Sequence, residues 1–260
     1  MKGRFRSLLM AVALAGAGNA AVASESSNGD LTMMVGMDYS TGEYGSAKET
    51  RTWVIPFIAK YERGPMTWKA SIPWIRTTGP GDVIGVGPDR IPAEGSENET
   101  RTESGIGDLV LSAGYAAVQN RYLLLDVIAK VKVPTADEDR ALGTGKTDVS
   151  LQLDAATLVN GLTVFGTVGK KKYGDPDGRD YRDPYYGSIG VGKRVIPTTF
   201  VGASYDWRDN VTRTGDEIRE LTLFASHRLG DDNKLQAYLI RGFSDNSPDI
   251  GGGLILSHRY

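Results

Sequence analysis

Residues 123–133 read LLLDVIAKVKV, and residues 148–155 read DVSLQLDA. In both stretches every second residue is apolar: Leu123, Leu125, Val127, Ala129, Val131 and Val133, then Val149, Leu151, Leu153 and Ala155. The opposite phase holds Asp126, Lys130 and Lys132, then Asp148, Gln152 and Asp154. Successive side chains of an extended chain point to opposite faces, so each stretch is a strand with one apolar and one charged face. Such charges do not fill a dry core cheaply. They suit a wet interior, with the apolar face turned outward.

The same period runs through Leu31–Tyr39, Trp53–Tyr61, Met66–Trp74 and Leu109–Ala117. Later segments are less regular. Leu162, Val164 and Val168 mark one strand, which Phe165 breaks, and Tyr185, Ile189 and Val191 mark another. Val201, Ala203, Tyr205 and Trp207 alternate with Ser204, Asp206 and Arg208, and Leu221, Leu223 and Ala225 follow. The segment from Leu235 to Phe243 is strand-like with an ambiguous face, and Leu254, Leu256 and Tyr260 are in phase in the last strand. The total is about twelve strands, each near the ~9–11 residues that a tilted membrane strand requires.

The connections alternate in length. Short links fall at Glu62–Pro65, Val118–Arg121, Asn160-Gly161, Ile196–Thr198 and Gly230–Lys234. Long links rich in charge, Gly or Pro fall at Thr41–Thr50, Thr78–Thr102, Thr135–Gly145, Gly174–Asp183 and Asn210–Asp216. Membrane barrels have short periplasmic turns and longer external loops. Asn-Gly is a strong two-residue hairpin signal. The fold expected is all-β: an antiparallel up-and-down transmembrane β-barrel. A soluble sandwich, propeller or lipocalin-like barrel shares the alternation but not the loop rhythm or the charged inner phase. The long link Thr78–Thr102, with Pro80, Pro88 and Pro92, is a candidate to fold inward and constrict the mouth.

The first residues supply a route to a membrane. Lys2, Arg4 and Arg6 precede an apolar run from Leu8 to Ala17, and Ala21-Val22-Ala23 offers an A-x-A cleavage site. This is the pattern of a secretory signal peptide over residues 1–23, with the barrel expected over 24–260 and the outer membrane of a Gram-negative bacterium as its destination. The terminal Tyr260, in phase with Leu254 and Leu256, resembles the signal read by the outer-membrane assembly machinery. That machinery and outer-membrane lipids are the expected partners.

Composition narrows the chemistry. The formal net charge of −2 gives no broad basic surface for nucleic acid. With no cysteine there is neither a disulfide nor a thiolate metal site. Gly143-Thr144-Gly145-Lys146-Thr147 resembles a phosphate loop, but Arg140 stands where its first Gly is needed and a strand follows. His227 and His258, the two histidines, each follow a serine. Neighbours along a strand point to opposite faces, so neither Ser-His pair is preset for proton transfer. No cofactor and no enzymatic activity are expected.

Three short motifs carry a family resemblance. Gly105-Ile106-Gly107-Asp108 opens a strand, Lys132-Val133-Pro134-Thr135 ends another, and Leu142-Gly143-Thr144-Gly145 precedes Asp148. Their order, over about residues 104–170, resembles the outer-membrane β-barrel family of phenol meta-cleavage pathway transporters. Ala136 stands where that family has Gly after Pro-Thr. The resemblance implies an outer-membrane barrel with a transport role involving small aromatics. Its motifs mark strand starts and turns and identify no substrate site.

The function expected is therefore passive passage of small, aromatic or hydrophobic solutes through an outer-membrane channel. The lumen-lining candidates are Lys130, Lys132, Asp126, Asp148, Asp154, Lys171, Asp206 and Arg208. An outer-membrane lipid-acting enzyme, phospholipase or deacylase, and a plugged structural or binding barrel are the alternatives.

Overall fold

The computed structural model describes residues 29–81, 83–86, 90–92, 100–175, 181–213 and 215–260. The expected signal peptide and Pro88 lie outside the described residues. Fifteen strands follow one another. They are β1 (Asp30–Gly42), β2 (Thr50–Arg63), β3 (Met66–Gly79), β4 (Val83–Ile84), β5 (Ile91–Pro92), β6 (Arg101–Ile106), β7 (Leu109–Gln119) and β8 (Leu124–Val133). The rest are β9 (Asp148–Val159), β10 (Leu162–Lys172), β11 (Tyr185–Ile196), β12 (Thr199–Arg208), β13 (Ile218–Arg228), β14 (Asn233–Gly242) and β15 (Ile250–Arg259).

All but β4 and β5 belong to one antiparallel sheet. β6 pairs with the end of β3 and β7 with its beginning, so the two form one wall strand broken at Gly107-Asp108. Twelve strands thus run round the wall, counting β6 and β7 as one. β1 pairs with β2 on one side and β15 on the other, which closes the barrel.

The start of β1, the end of β15 and every short turn lie at one end of the barrel, and the long links lie at the other. At Asn160-Gly161 both residues have positive φ, 50° and 81°, the signature of a type I′ hairpin turn. By the usual arrangement the short-turn end is periplasmic.

The outer face is apolar. Leu151 and Ile189 are each 59% exposed and Leu239 is 62% exposed, too much continuous apolar surface for a protein in water. Tyr39, Trp53, Tyr185, Tyr205 and Trp207 ring the loop end of this face, and Tyr61, Trp68 and Tyr260 the short-turn end. These are the two aromatic girdles of a membrane barrel. The ambiguous segment of β14 resolves cleanly: Leu235 and Leu239 face out, while Gln236 is fully buried inside. Phe165, out of phase by sequence, points inward and packs on the buried pair Phe200 and Phe224.

Candidate functional site

The three family motifs meet in space. Asp108, at the break between β6 and β7, accepts hydrogen bonds from the backbone N–H groups of Thr135 (3.1 Å) and Ala136 (3.0 Å). Thr135 closes the joint by donating its hydroxyl to the Gly107 carbonyl at 2.9 Å. Lys132, two residues before Pro134, extends its ammonium to Asp108 Oδ2 at 3.0 Å and Asp148 Oδ2 at 3.1 Å. It also donates to Thr144 Oγ1 at 2.8 Å. Lys171 on β10 reaches Asp148 at 3.3 Å. Gly143 is needed for this convergence, because a Cβ there would lie 2.7 Å from both Asp108 Oδ2 and the Ala136 side chain. The phosphate-loop lookalike is thus a loop that seats Thr144 on Lys132. Two ammonium groups and two carboxylates neutralise one another on the inner wall, near the loop end.

A second network continues along β8–β11. Lys130 donates to Gln152 Oε1 at 2.6 Å, and Gln152 passes a donor on to Asp154 Oδ1 at 2.6 Å. Thr167 donates to the same carboxylate at 2.8 Å, and the Tyr186 hydroxyl to Gln152 at 3.0 Å. Hydrogen-bonded chains of this kind hold charged side chains in fixed positions.

A stopper narrows the external mouth. The link between β3 and β6 turns inward as the small hairpin β4–β5. Arg90, in this link, forms a buried ion pair with Glu220 on β13 and donates to the Asn246 carbonyl. Arg208 on β12 donates to the Arg90 carbonyl at 2.7 Å and to the Tyr173 hydroxyl at 3.2 Å. Ile91 packs with Tyr173, Tyr181 and Val211, so several external loops clamp the hairpin.

Among the described residues two cavities lie inside. One, of about 400 Å³, is lined by cationic Lys69, Lys130, Lys132, Lys171 and Arg208 against acidic Asp148, Asp206 and Glu220. The other, of about 230 Å³, lies between the hairpin and the wall of β2 and β3. Its walls include Pro56, Ile58, Pro73, Ile75, Ile84 and Leu142, with Lys132 and Asp108 at its polar side. Towards the short turns the rings of Phe165, Phe224 and Phe200 follow one another at 6.2 and 6.1 Å. Gly192 and Gly202 make room for them, since a Cβ at either would fall 2.4 or 2.5 Å from a ring atom.

The eight residues nominated from sequence all project from the inner face, in several groups. Lys132, Asp148 and Lys171 share the first network; Lys130 and Asp154 share the second. Asp126 stands beside Asp154 in strand register. Asp206 accepts from Ser204 at 3.0 Å, and Arg208 belongs to the stopper. Sequence reasoning missed Asp108 and Thr144, although both lie in the motifs it noticed. It also missed Arg90 and Glu220, which no local pattern joins. Neither histidine meets its neighbouring serine: His227 bonds Thr199 at 2.7 Å and His258 bonds Asn233 at 2.9 Å, while Ser226 and Ser257 are buried on the inner face.

Comparison with known proteins follows from this geometry. Residues 42–260 match the model of the family described as "Putative MetA-pathway of phenol degradation". The chain belongs to this family. Among solved structures it is similar to an outer membrane channel of Pseudomonas putida F1, with a TM-score of 0.69 and 17% identity over 89% of this chain and 96% of that one. It is also similar to the KdgM porin, with a TM-score of 0.51 and 7% identity over 88% and 98% of the two chains. At these identities the likeness is one of fold: an outer-membrane type of barrel. No protein of curated function matches the sequence.

Proposed function

We propose that this family member is exported by cleavage of residues 1–23 and forms a passive outer-membrane channel for small solutes. The observation that carries the reading is the inner wall: buried charges in hydrogen-bonded and ion-paired networks surround a 400 Å³ cavity, which is the lining of a wet path. The Arg90 hairpin narrows the external mouth. The family description and the 230 Å³ apolar chamber support solutes about the size of one aromatic ring, because ~150 Å³ of apolar cavity already accommodates benzene. Lys130, Lys132, Asp126, Asp148, Asp154, Lys171, Asp206 and Arg208 line the path in this reading and set its selectivity by charge and size.

The test is recording from refolded protein in planar bilayers. Steady conductance that rises when Arg90→Ala or Glu220→Gln loosens the stopper supports the reading. A folded, heat-modifiable barrel that never conducts, with or without those substitutions, overturns it in favour of a filled structural barrel.

A further inference from the structure

Strand register places four of the inner-face lysines in a single line. Lys60 on β2 is the register partner of Lys69 on β3, Lys69 of Ser112 on β7, and Ser112 of Lys130 on β8. Lys130 is in turn the partner of Ser150 on β9, and Ser150 of Lys171 on β10. The row therefore reads Lys, Lys, Ser, Lys, Ser, Lys across adjacent strands. Register partners lie across the strands, and the strands of a membrane barrel tilt by ~35–45°, so such a row climbs the wall as a spiral. The ends agree with this: Lys60 lies three residues from the short-turn end of β2, and Lys171 one residue from the loop end of β10.

An acidic row runs alongside. Asp126 on β8 partners Asp154 on β9, and the row continues through Thr167, Ser188, Asp206 and Glu220. The two rows are four residues apart along each strand, roughly 13 Å at ~3.4 Å per residue. Between them Gln152 accepts from Lys130 and donates to Asp154.

The rows differ in reach. Asp126 and Asp154 are short side chains, 1% and 4% exposed, held against the wall, and Glu220 is committed to Arg90. Lysine carries its charge on a four-carbon stem, and Lys69 and Lys130 are only half-buried, whereas the ends of the row are ion-paired, Lys60 with Glu62 at 2.8 Å and Lys171 with Asp148. Lys60 and Lys130 act electrostatically on Lys69, and so does Asp154. Lysines two strands apart in the row are about 10 Å apart at the wall, within reach of one another's flexible stems.

We infer that the row Lys60–Lys69–Lys130–Lys171, through its half-buried central lysines Lys69 and Lys130, is an anion track that gives the channel a preference for small organic monoanions, a carboxylate or phenolate on a compact apolar body. The inference rests on the channel reading above and names its substrate class. The apolar body is accommodated by the prolines and isoleucines of β2 and β3 and by the Phe165–Phe224–Phe200 row, and the anionic group by the ammonium groups of Lys69 and Lys130.

Bilayer recording under an about tenfold KCl gradient separates the two readings. Conductance tests the channel; the sign of the reversal potential tests the track. Wild-type protein is expected to favour chloride. The variant Lys69→Gln/Lys130→Gln is expected to lower the chloride-to-potassium permeability ratio by about threefold or more. Lys69→Arg/Lys130→Arg keeps the ratio, and so does Lys170→Gln, whose ammonium lies on the outer face over Tyr185. Heat-modifiable mobility checks folding, and the single Gln variants carry the same test if the double variant does not fold. A wild-type preference for potassium, or a ratio unmoved by the Gln variants, overturns the track. If the folded barrel does not conduct, the channel reading fails, and titration with sodium benzoate decides the track alone. Heat in wild type that is lost in the Gln variants upholds it, and its absence from wild type overturns it.

Discussion

Replacing Lys132 by Met removes the cation that two carboxylates share. Asp108 Oδ2 and Asp148 Oδ2 lie 3.0 and 3.1 Å from its ammonium. At an effective dielectric constant of ~20, each contact is worth about 5 kcal/mol of direct attraction. Desolvation returns most of that, because Asp148 is almost completely buried. The partners left behind are unequal. Asp108 keeps two backbone donors, whereas Asp148 keeps Lys171 and the Gly174 N–H. The expected net loss is about 3 kcal/mol, the lower part of the range for breaking a buried pair. Urea unfolding of the refolded barrel in lipid vesicles reads this directly. Asp148→Asn completes a double-mutant cycle, and the two substitutions together should cost about 2 kcal/mol less than the sum of the singles. A Lys132→Met protein within about 0.5 kcal/mol of wild type, or an additive cycle, would refute the shared-cation account.

Three further outcomes are expected. Gly202→Ala brings a Cβ to 2.5 Å from the Phe224 ring and should lower stability by about 1–3 kcal/mol, with Ser204→Ala on the same strand milder in the same unfolding assay. Gly161→Ala forces a side chain onto a residue with φ of 81°, and should cost about 1–2 kcal/mol while leaving the refolded barrel's mobility unchanged. The four tryptophans, Trp53, Trp68, Trp74 and Trp207, all face outward, so vesicles of brominated lipid should quench most of the intrinsic emission. Emission indifferent to bromine would contradict the orientation of the wall.

The wall was readable residue by residue because a strand in a barrel meets oil on one side and water on the other. Leu151, Leu153, Asp148 and Asp154 announce their faces without help from the rest of the chain. Phe165 and the segment around Tyr238 were harder, since an aromatic ring over an inner glycine breaks the simple contrast between faces. The eight lumen candidates could be placed by phase alone, and so could Lys60 and Lys69, each next to an outward aromatic. Their alignment into a row could not, because it depends on the register that five pairings impose across six strands. The stopper was foreseeable only as a long proline-bearing link. Strands of two residues have no periodicity to read, and nothing near Arg90 in sequence points to Glu220.

The separation of Arg90 from its partners also fixes an order of events. Glu220 lies 130 residues later in the chain and Asn246 lies 156 residues later. Closing loops of that span costs entropy that only a preformed frame can offset, so the hairpin gains nothing by docking early. The wall must be assembled through its last two hairpins before Arg90 has anything to hold. Maturation of this barrel should therefore proceed in two kinetic stages, with a cylinder wide at its outer mouth preceding the narrowed one.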